Sequence, residues 1–227
     1  MASDSFTGTN DVALTTHDSN WVHTTDDDYG KIYGNGVGYG AWSEGSYRYT
    51  GSNGDTSQVV VKGGYGARIG PCVRMTSGNQ GYRVNFTDLS GANWTFIKLY
   101  KNGSWIAHIA SGSWASASDY TLRLVASGTS SPVTLTAYVN GSSVGNTNDS
   151  SSPYTSGLSG LHLVGEADND VTLGDDWTDG ASAASGNPWY YYAQQLRSLK
   201  DKWRGLLQIP SLEEVKLYGH RGGKVNV

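Results

Sequence analysis

The strongest candidates for catalysis in the sequence are three acidic residues, Glu166, Asp168 and Asp170, in the segment GEADNDV. Two carboxyl groups about 5–5.5 Å apart can cleave a glycosidic bond with retention. On a strand rising about 3.3 Å per residue, however, positions i and i+4 lie about 13 Å apart at Cα, and an aspartate at the last position widens the gap. Asp-Asn-Asp is also typical of a turn. We therefore expect a solvated loop here and no catalytic residue.

The other reactive side chains form no recognisable constellation. The five histidines are scattered without metal-ligand spacing, and His108 occupies an ordinary strand position in WIAHIAS. The single cysteine, Cys72, excludes an internal disulfide, and we expect it to be a small buried residue in a strand. Asp26 and Asp28 lie in the acidic loop TTDDDYG and are candidate ligands of a structural Ca²⁺. Apart from that ion, we expect no cofactor.

The elements that position these residues are short β-strands. In TLRLVA and VTLTAYV, apolar and polar residues alternate, which places Leu122, Leu124 and Ala126, and likewise Leu135, Ala137 and Val139, on one buried face. Asn-Gly pairs in KNGS and VNGS favour tight hairpins between strands. The Gly- and Tyr-rich region from Asp26 to Gly66 is interpreted as two or three strands with long loops. An all-β protein with antiparallel sheets is the prediction.

The order of these strands resembles that of the concanavalin A-like, laminin-G-like jelly-roll superfamily of lectins and glucanases. The opening DSFTGTNDVALTTHDSNW is similar to an Asp-x-Phe…Leu…His…Trp start, and GDDW is similar to a closing Asp-Asp-Phe strand. Further strands of the series are YRVNF, FIKLYKNGSWIAHIA, DYTLRLVASG, VTLTAYVNGSSV and SGLSGLHLVGE. The resemblance covers about residues 4–179 and implies a two-sheet antiparallel sandwich over residues 1–179. It implies no particular activity, because one fold hosts many functions.

Because the resemblance includes many lectins, exposed aromatic side chains are candidate glycan-binding residues. Tryptophan and tyrosine present a broad apolar ring together with a polar group. The candidates are Tyr39, Trp42, Tyr47, Trp105 and Trp114. For each of them, packing in the core or on a sheet is the alternative, since aromatic residues are enriched in strands.

After residue 179 the composition changes. Residues 180–187 are small and resemble a flexible linker. Asn187 is a suitable N-cap and Pro188 suits the first helical position. Apolar residues then recur at spacings of three and four, which predicts an amphipathic helix. These residues are Trp189, Tyr192, Leu196, Leu199, Trp203 and Leu206.

The segment 188–227, comprising this helix and a following extended arm, is predicted to serve assembly or anchoring. An isolated helix of about 18 residues is marginal in water, so its apolar stripe must pack on its own sandwich, on a copy of itself or on another protein. Residues 188–227 carry 7 basic and 3 acidic side chains, whereas residues 1–187 carry 9 and 17. We expect contact with other protein subunits, as a homo-oligomer or in a larger assembly.

These features predict a non-catalytic structural or adhesion module. A virion component, such as a phage capsid decoration, fibre or tail protein, fits an exposed β-domain with an anchoring tail, and its sandwich is expected to bind glycans. The acidic body argues against nucleic acid, and no apolar run is long enough to span a membrane. No signal-peptide pattern is present, so we expect synthesis in the cytoplasm and a place on the virion surface. A polysaccharide-active hydrolase or lyase, or a stand-alone lectin, is the alternative.

Overall fold

The computed structural model describes residues 1–24, 30–39, 44–63, 69–77, 80–164 and 173–180. Within them the chain forms two antiparallel β-sheets and one short helix, α1 (Leu14–His17). These residues belong to a compact unit that spans Met1–Ala183. The predicted all-β, two-sheet jelly-roll sandwich is therefore confirmed. The predicted linker, helix and arm lie beyond residue 180, outside the described residues.

One sheet has eight strands. Seven of them follow the order β13-β12-β11-β6-β15-β4-β3, and β1 pairs with β15. The bounds are β1 Ser3–Asp4, β3 Gly30–Tyr33, β4 Gly36–Tyr39, β6 Thr56–Val61, β11 Tyr120–Ser127, β12 Val133–Val139, β13 Ser142–Asp149 and β15 Gly174–Thr178.

The other sheet has seven strands in the order β10-β9-β8-β7-β14-β5-β2. Its outer face carries the candidate site. The bounds are β2 Trp21–His23, β5 Glu44–Tyr49, β7 Ile69–Met75, β8 Tyr82–Ser90, β9 Asn93–Lys101, β10 Ser104–Ala115 and β14 Leu158–Val164.

The core lies between the two sheets. The apolar residues that alternate along β11 and β12 are buried in it, as the sequence predicted for Leu122, Leu124, Ala126, Leu135, Ala137 and Val139. The seven-stranded sheet supplies the opposite wall of the core with Tyr82, Val84, Phe86, Ile97, Leu99, Leu161 and Leu163. Since neighbouring residues on a strand point to opposite faces, this alternation also fixes which side chains reach the outer face.

Two predicted hairpins are confirmed. Asn102 and Gly103 connect β9 to β10 with φ of 54° and 76°. Asn140 and Gly141 connect β12 to β13 with φ of 49° and 82°. Asparagine and glycine tolerate this left-handed region better than other residues, which is why the pair marks tight turns in a sequence.

The opening motif DSFTGTNDVALTTHDSNW and the closing motif GDDW meet in one cluster of side chains. The Asp4 carboxylate accepts hydrogen bonds from Phe6 N at 2.7 Å and from Trp21 Nε1 at 2.8 Å, and it lies 3.1 Å from His17 Nε2. Trp177 of the closing strand packs edge-on against Trp21 with ring centroids 4.7 Å apart. The residues of the Asp-x-Phe…His…Trp pattern therefore form a hydrogen-bonded cluster that connects β1 to β15.

The region around residues 26–66 contains more strand than we expected. Four strands, β3 to β6, replace the predicted two or three. Their burial explains the many tyrosines, since Tyr33 and Tyr47 belong to the buried interior. In the part of the chain described, no helix is long and apolar enough to cross a membrane.

Candidate functional site

The structure corrects the prediction for one of the five aromatic candidates, Tyr47. It lies in the core with no exposed surface, and its hydroxyl accepts a hydrogen bond from Gly30 N at 2.7 Å. Along β5, Tyr47 and Tyr49 point inward while Ser46 and Arg48 point outward. A buried ring cannot stack on a sugar, so Tyr47 serves the core.

Trp114 is also mainly a packing residue. It is half-buried on β10, and its ring lies 5.4 Å from the buried ring of Phe86. Gly112 leaves the space beside this ring, because a Cβ there would come within 2.8 Å of the indole.

Several other candidates lie outside the described residues. Among them are Trp42, the acidic residues Asp26 and Asp28, and the carboxylates Glu166, Asp168 and Asp170. Tyr39 ends β4, but its side chain is also outside the description. The same holds for the helix residues Trp189, Tyr192, Leu196, Leu199, Trp203 and Leu206.

Trp105 is the candidate that the structure places on an open surface. Its side chain is 57% exposed at the start of β10, the edge strand of the seven-stranded sheet. In the strand register Trp105 faces Tyr100, and the register then shifts so that Ala107 faces Leu99. Ile106 is thus the extra residue of a β-bulge. Bulges at sheet edges re-aim side chains, and this one keeps Trp105 beside the outward-facing residues of β9.

Trp105 belongs to a surface that we call the aromatic edge, formed by Phe96, Lys98, Tyr100, Trp105 and His108. His108 stacks on Phe96 with ring centroids 4.2 Å apart and lies 5.2 Å from the Trp105 ring. Lys98 Nζ lies 5.6 Å from the Trp105 ring and forms an ion pair with Asp88 at 3.0 Å. Each ring is therefore fixed by a neighbour before any ligand arrives.

Beside the aromatic edge lies a second group, which we call the polar centre: Glu44, Ser46, Arg83 and His162. The three strands that carry it are β5, β8 and β14, and all four residues are outward-facing. Arg83 Nη1 donates a hydrogen bond to His162 Nδ1 at 2.7 Å, and Ser46 Oγ lies 3.0 Å from the same nitrogen. Arg83 Nη2 lies 3.8 Å from Glu44 Oε2, and His162 Nε2 lies 3.6 Å from the same oxygen.

Arg83 joins the two groups. Its guanidinium carbon lies 4.7 Å from the centre of the Tyr100 ring, while its nitrogens contact His162 and Glu44. Tyr100 in turn faces Trp105 across β9 and β10. The polar centre and the aromatic edge are thus one continuous surface.

Burial and charge set the protonation of the polar centre. Burial lowers the pKa of His162 to about 4, although Glu44 acts against this shift. The interaction with His162, supported by the charge of Arg83, lowers the pKa of Glu44 to about 2. Burial also raises the pKa of the Cys72 thiol to about 12, so Cys72 is an inert buried residue as expected. At neutral pH, His162 is uncharged and Glu44 is ionised.

This protonation pattern is not that of a general acid working near neutral pH. A general acid or base works best with a pKa near the working pH. Glu44 and His162 both titrate well below neutrality, so neither is in its acid form at pH 7. No group of three histidine, cysteine or acidic residues able to hold a metal ion occurs among the described residues.

Sequence reasoning missed the polar centre and most of the aromatic edge. Alternation in YRVNF shows that Arg83 points away from the core residues Tyr82 and Val84. No local signal links Arg83 to Glu44 or His162, because only the pairing of strands distant in sequence brings these residues together. Arg83, on an outward face beside buried neighbours, was the one detectable sign.

Comparison with solved structures finds distant similarities of fold. The carbohydrate binding module CBM66 from Bacillus subtilis is 17% identical, with a TM-score of 0.48, over 70% of this chain and 92% of that chain. LamAcat from Zobellia galactanivorans is 8% identical, with a TM-score of 0.42, over 78% and 93%. Galectin LEC-6 from Caenorhabditis elegans is 13% identical, with a TM-score of 0.34, over 73% and 96%. Similarity this distant does not extend to binding residues or ligands.

No protein-family model matches the chain, and no curated protein matches it.

Proposed function

We propose that this protein is a non-catalytic glycan-binding module and that its ligand lies on the outer face of the seven-stranded sheet. The observation that carries the proposal is the exposed indole of Trp105, held in a row with Tyr100 and Arg83. Such a row offers a flat apolar ring followed by fixed polar groups.

The chemistry of a sugar matches this arrangement. A pyranose presents apolar CH groups on its faces and hydroxyl groups around its rim, so it needs both an aromatic ring and polar partners. Binding sites combine apolar walls with a few well-placed polar groups. Trp105 and Tyr100 supply rings, whereas the exposed carboxylate of Glu44, held by Arg83, supplies a hydrogen-bond acceptor.

The geometry favours a ligand that crosses several strands. Glu44 on β5 and Trp105 on β10 lie five strand positions apart in the sheet. Arg83 connects them, because its Nη2 lies 3.8 Å from Glu44 Oε2 and its guanidinium carbon lies 4.7 Å from the centre of the Tyr100 ring beside Trp105. An oligosaccharide chain that crosses these strands can contact both Trp105 and Glu44.

The test uses soluble polysaccharides and isothermal titration calorimetry. The panel contains a β-glucan, a mannan, a dextran and a galactan. We expect at least one to bind, and Trp105→Ala to weaken that binding by about 10- to 100-fold, the loss typical of an aromatic anchor. Trp105→Phe should restore part of the affinity, because it keeps a ring at the site.

Leu89→Ala is the matched control. Leu89 is 56% exposed, almost the same as Trp105, but it pairs with Trp94, six residues from Tyr100 along β9. At about 3.4 Å per residue it is about 20 Å away. Loss of an exposed apolar side chain at Leu89 should leave binding unchanged. Binding to no member of the panel, or equal binding by wild type and Trp105→Ala, would refute the proposal.

The alternative of a polysaccharide-cleaving enzyme is tested on the same samples. We propose that none of the bound polysaccharides is shortened, because Glu44 and His162 cannot supply a proton near neutrality. Reducing-end or chromatographic assays measure this directly. Cleavage that disappears in Glu166→Gln or Asp168→Asn would establish the hydrolase or lyase instead.

We also propose that the protein is a virion component that residues 188–227 hold in an assembly. The support for this proposal is the amphipathic pattern and opposite charge of residues 188–227 in the sequence. Mass measurement in solution should give an oligomer for the full chain and a folded monomer after deletion of residues 187–227. Unchanged oligomerisation of the truncated chain would contradict anchoring by this segment.

A further inference from the structure

We infer that Glu44 acts as a fixed hydroxyl acceptor, so that the site takes uncharged glycans and rejects glycans carrying carboxylate or sulfate groups. The inference rests on the proposed glycan-binding function and adds the chemical class of the ligand. It follows from the direction of each hydrogen bond in the polar centre.

The directions of the hydrogen bonds in the polar centre follow from Arg83. A guanidinium can only donate hydrogen bonds, so His162 Nδ1, 2.7 Å from Arg83 Nη1, must accept. In a neutral imidazole the proton is then on Nε2, the nitrogen that faces Glu44 Oε2 at 3.6 Å. His162 therefore turns a donor toward the Glu44 carboxylate.

The exposed fractions of the side chains show that Glu44 can contact a ligand, whereas His162 and Arg83 lie behind it. The side chains of His162 and Arg83 are 1% and 9% exposed, whereas that of Glu44 is 54% exposed. Within the described residues, His162 Nε2 and Arg83 Nε are buried without a hydrogen-bond partner. Buried donors of this kind are costly, and His162 Nε2 is the one that faces the Glu44 carboxylate, at 3.6 Å from Oε2.

The free side of Glu44 determines what can bind. An ionised carboxylate has only acceptor sites, and Oε2 already faces Arg83 and His162. The exposed part of the carboxylate can therefore accept hydrogen bonds from ligand groups that donate, and sugar hydroxyl groups are such donors. Hydrogen bonds to a charged acceptor are stronger than neutral ones, so this contact contributes strongly to affinity.

The same charge works against anionic ligands. A carboxylate or sulfate group next to Glu44 would be repelled at short distance. The nearby cations are engaged, because Arg83 is covered, Lys98 is paired with Asp88 at 3.0 Å, and Arg48 on β5 donates a hydrogen bond from Nη1 to Thr76 O. An anionic glycan would therefore have to break an existing ion pair or hydrogen bond to find a partner.

The ligand class is tested with matched polysaccharides that differ only in charge. For each neutral member of the panel that binds, a sulfated and a carboxymethylated derivative of the same backbone is titrated at pH 7. We expect the derivatives to bind at least tenfold more weakly than the neutral polysaccharide. Equal or tighter binding of either derivative would overturn the inference.

The role of Glu44 is tested by Glu44→Gln, which keeps the shape and removes the charge. We expect about a 10- to 100-fold loss of affinity for the neutral polysaccharide and a smaller difference between neutral and charged forms. Asp119→Asn is the control, since Asp119 is 53% exposed, pairs with Lys62 and lies before β11 of the other sheet. It removes one negative charge and should leave affinity unchanged.

The outcomes separate this inference from the proposed function. Loss of binding in Trp105→Ala with unchanged binding in Glu44→Gln would refute the role of Glu44 and leave the glycan-binding function standing. Unchanged binding in Trp105→Ala would refute the function itself. Equal losses in Glu44→Gln and Asp119→Asn would show a general charge effect and would also refute the inference.

Discussion

Arg74 is expected to hold three loops of the sandwich together, and its removal should cost more stability than any surface change. Its side chain is 1% exposed, although it is a charged residue. Nη1 donates to Tyr154 O at 2.8 Å and Nη2 donates to Gly128 O at 2.9 Å. Nε donates to Asp55 Oδ1 at 2.8 Å. The backbone itself is held in the left-handed region, with φ of 53°.

The size of the effect follows from these contacts in Arg74→Met. Hydrogen bonds from a charged donor contribute about 1.5–3 kcal/mol each, and the two carbonyl acceptors lose theirs. The contact with Asp55 adds about 0–1 kcal/mol, because that carboxylate is 53% exposed. Methionine recovers part of the packing and removes the cost of burying a charge. We therefore expect a net loss of about 3–5 kcal/mol in the free energy of unfolding.

Urea denaturation followed by tryptophan fluorescence measures this loss at pH 7. Lys98→Met is the control, because Lys98 forms a surface ion pair with Asp88 and should cost less than about 1 kcal/mol. A loss below 1 kcal/mol in Arg74→Met, or a loss equal to that of the control, would show that the three loops do not depend on Arg74.

Two further predictions concern single side chains. Burial, together with the neighbouring Asp176, raises the pKa of Asp175 to about 6, so the folded state favours the protonated form and the ionised form costs stability above pH 6. Asp175→Asn should therefore raise the free energy of unfolding by about 2–3 kcal/mol at pH 7–8, and this gain should vanish below about pH 4 in denaturation curves measured across that range. Tyr47→Phe removes the buried hydrogen bond from Gly30 N and should lower the free energy of unfolding by about 1–3 kcal/mol. Calorimetry should show unchanged glycan binding in this variant. Reduced binding would show that Tyr47 belongs to the binding site.

The fold could be predicted where a local rule decides the structure. Alternation placed Leu122 and Leu135 in the core because a strand turns successive side chains to opposite faces. The Asn-Gly pairs marked hairpins because left-handed backbone favours those residues. Both rules act within a few residues of chain.

The site could not be predicted in the same way, because its contacts join distant strands. Glu44, Arg83 and His162 lie on β5, β8 and β14, and their approach depends on the order of strands in the sheet. Tyr47 was misplaced as a glycan-binding candidate for a related reason. The alternation of Tyr47 and Tyr49 with Ser46 and Arg48 was present in the sequence, but the inward side of β5 is known only once its partners are known.

The two outer faces of the sandwich differ in a way that bears on function. On the eight-stranded sheet, exposed polar pairs such as Thr134 and Asn148 bond to each other at 2.8 Å, and the buried Arg123 lies over the Tyr138 ring at 3.9 Å. On the seven-stranded sheet, Arg83 and His162 are covered and bonded to each other although they face away from the core. Burying charged and polar groups usually gives little net stability, so such a cluster is poorly explained by folding alone. It stands directly behind the exposed carboxylate of Glu44, and under the proposed function its role is to hold that carboxylate in place for a ligand.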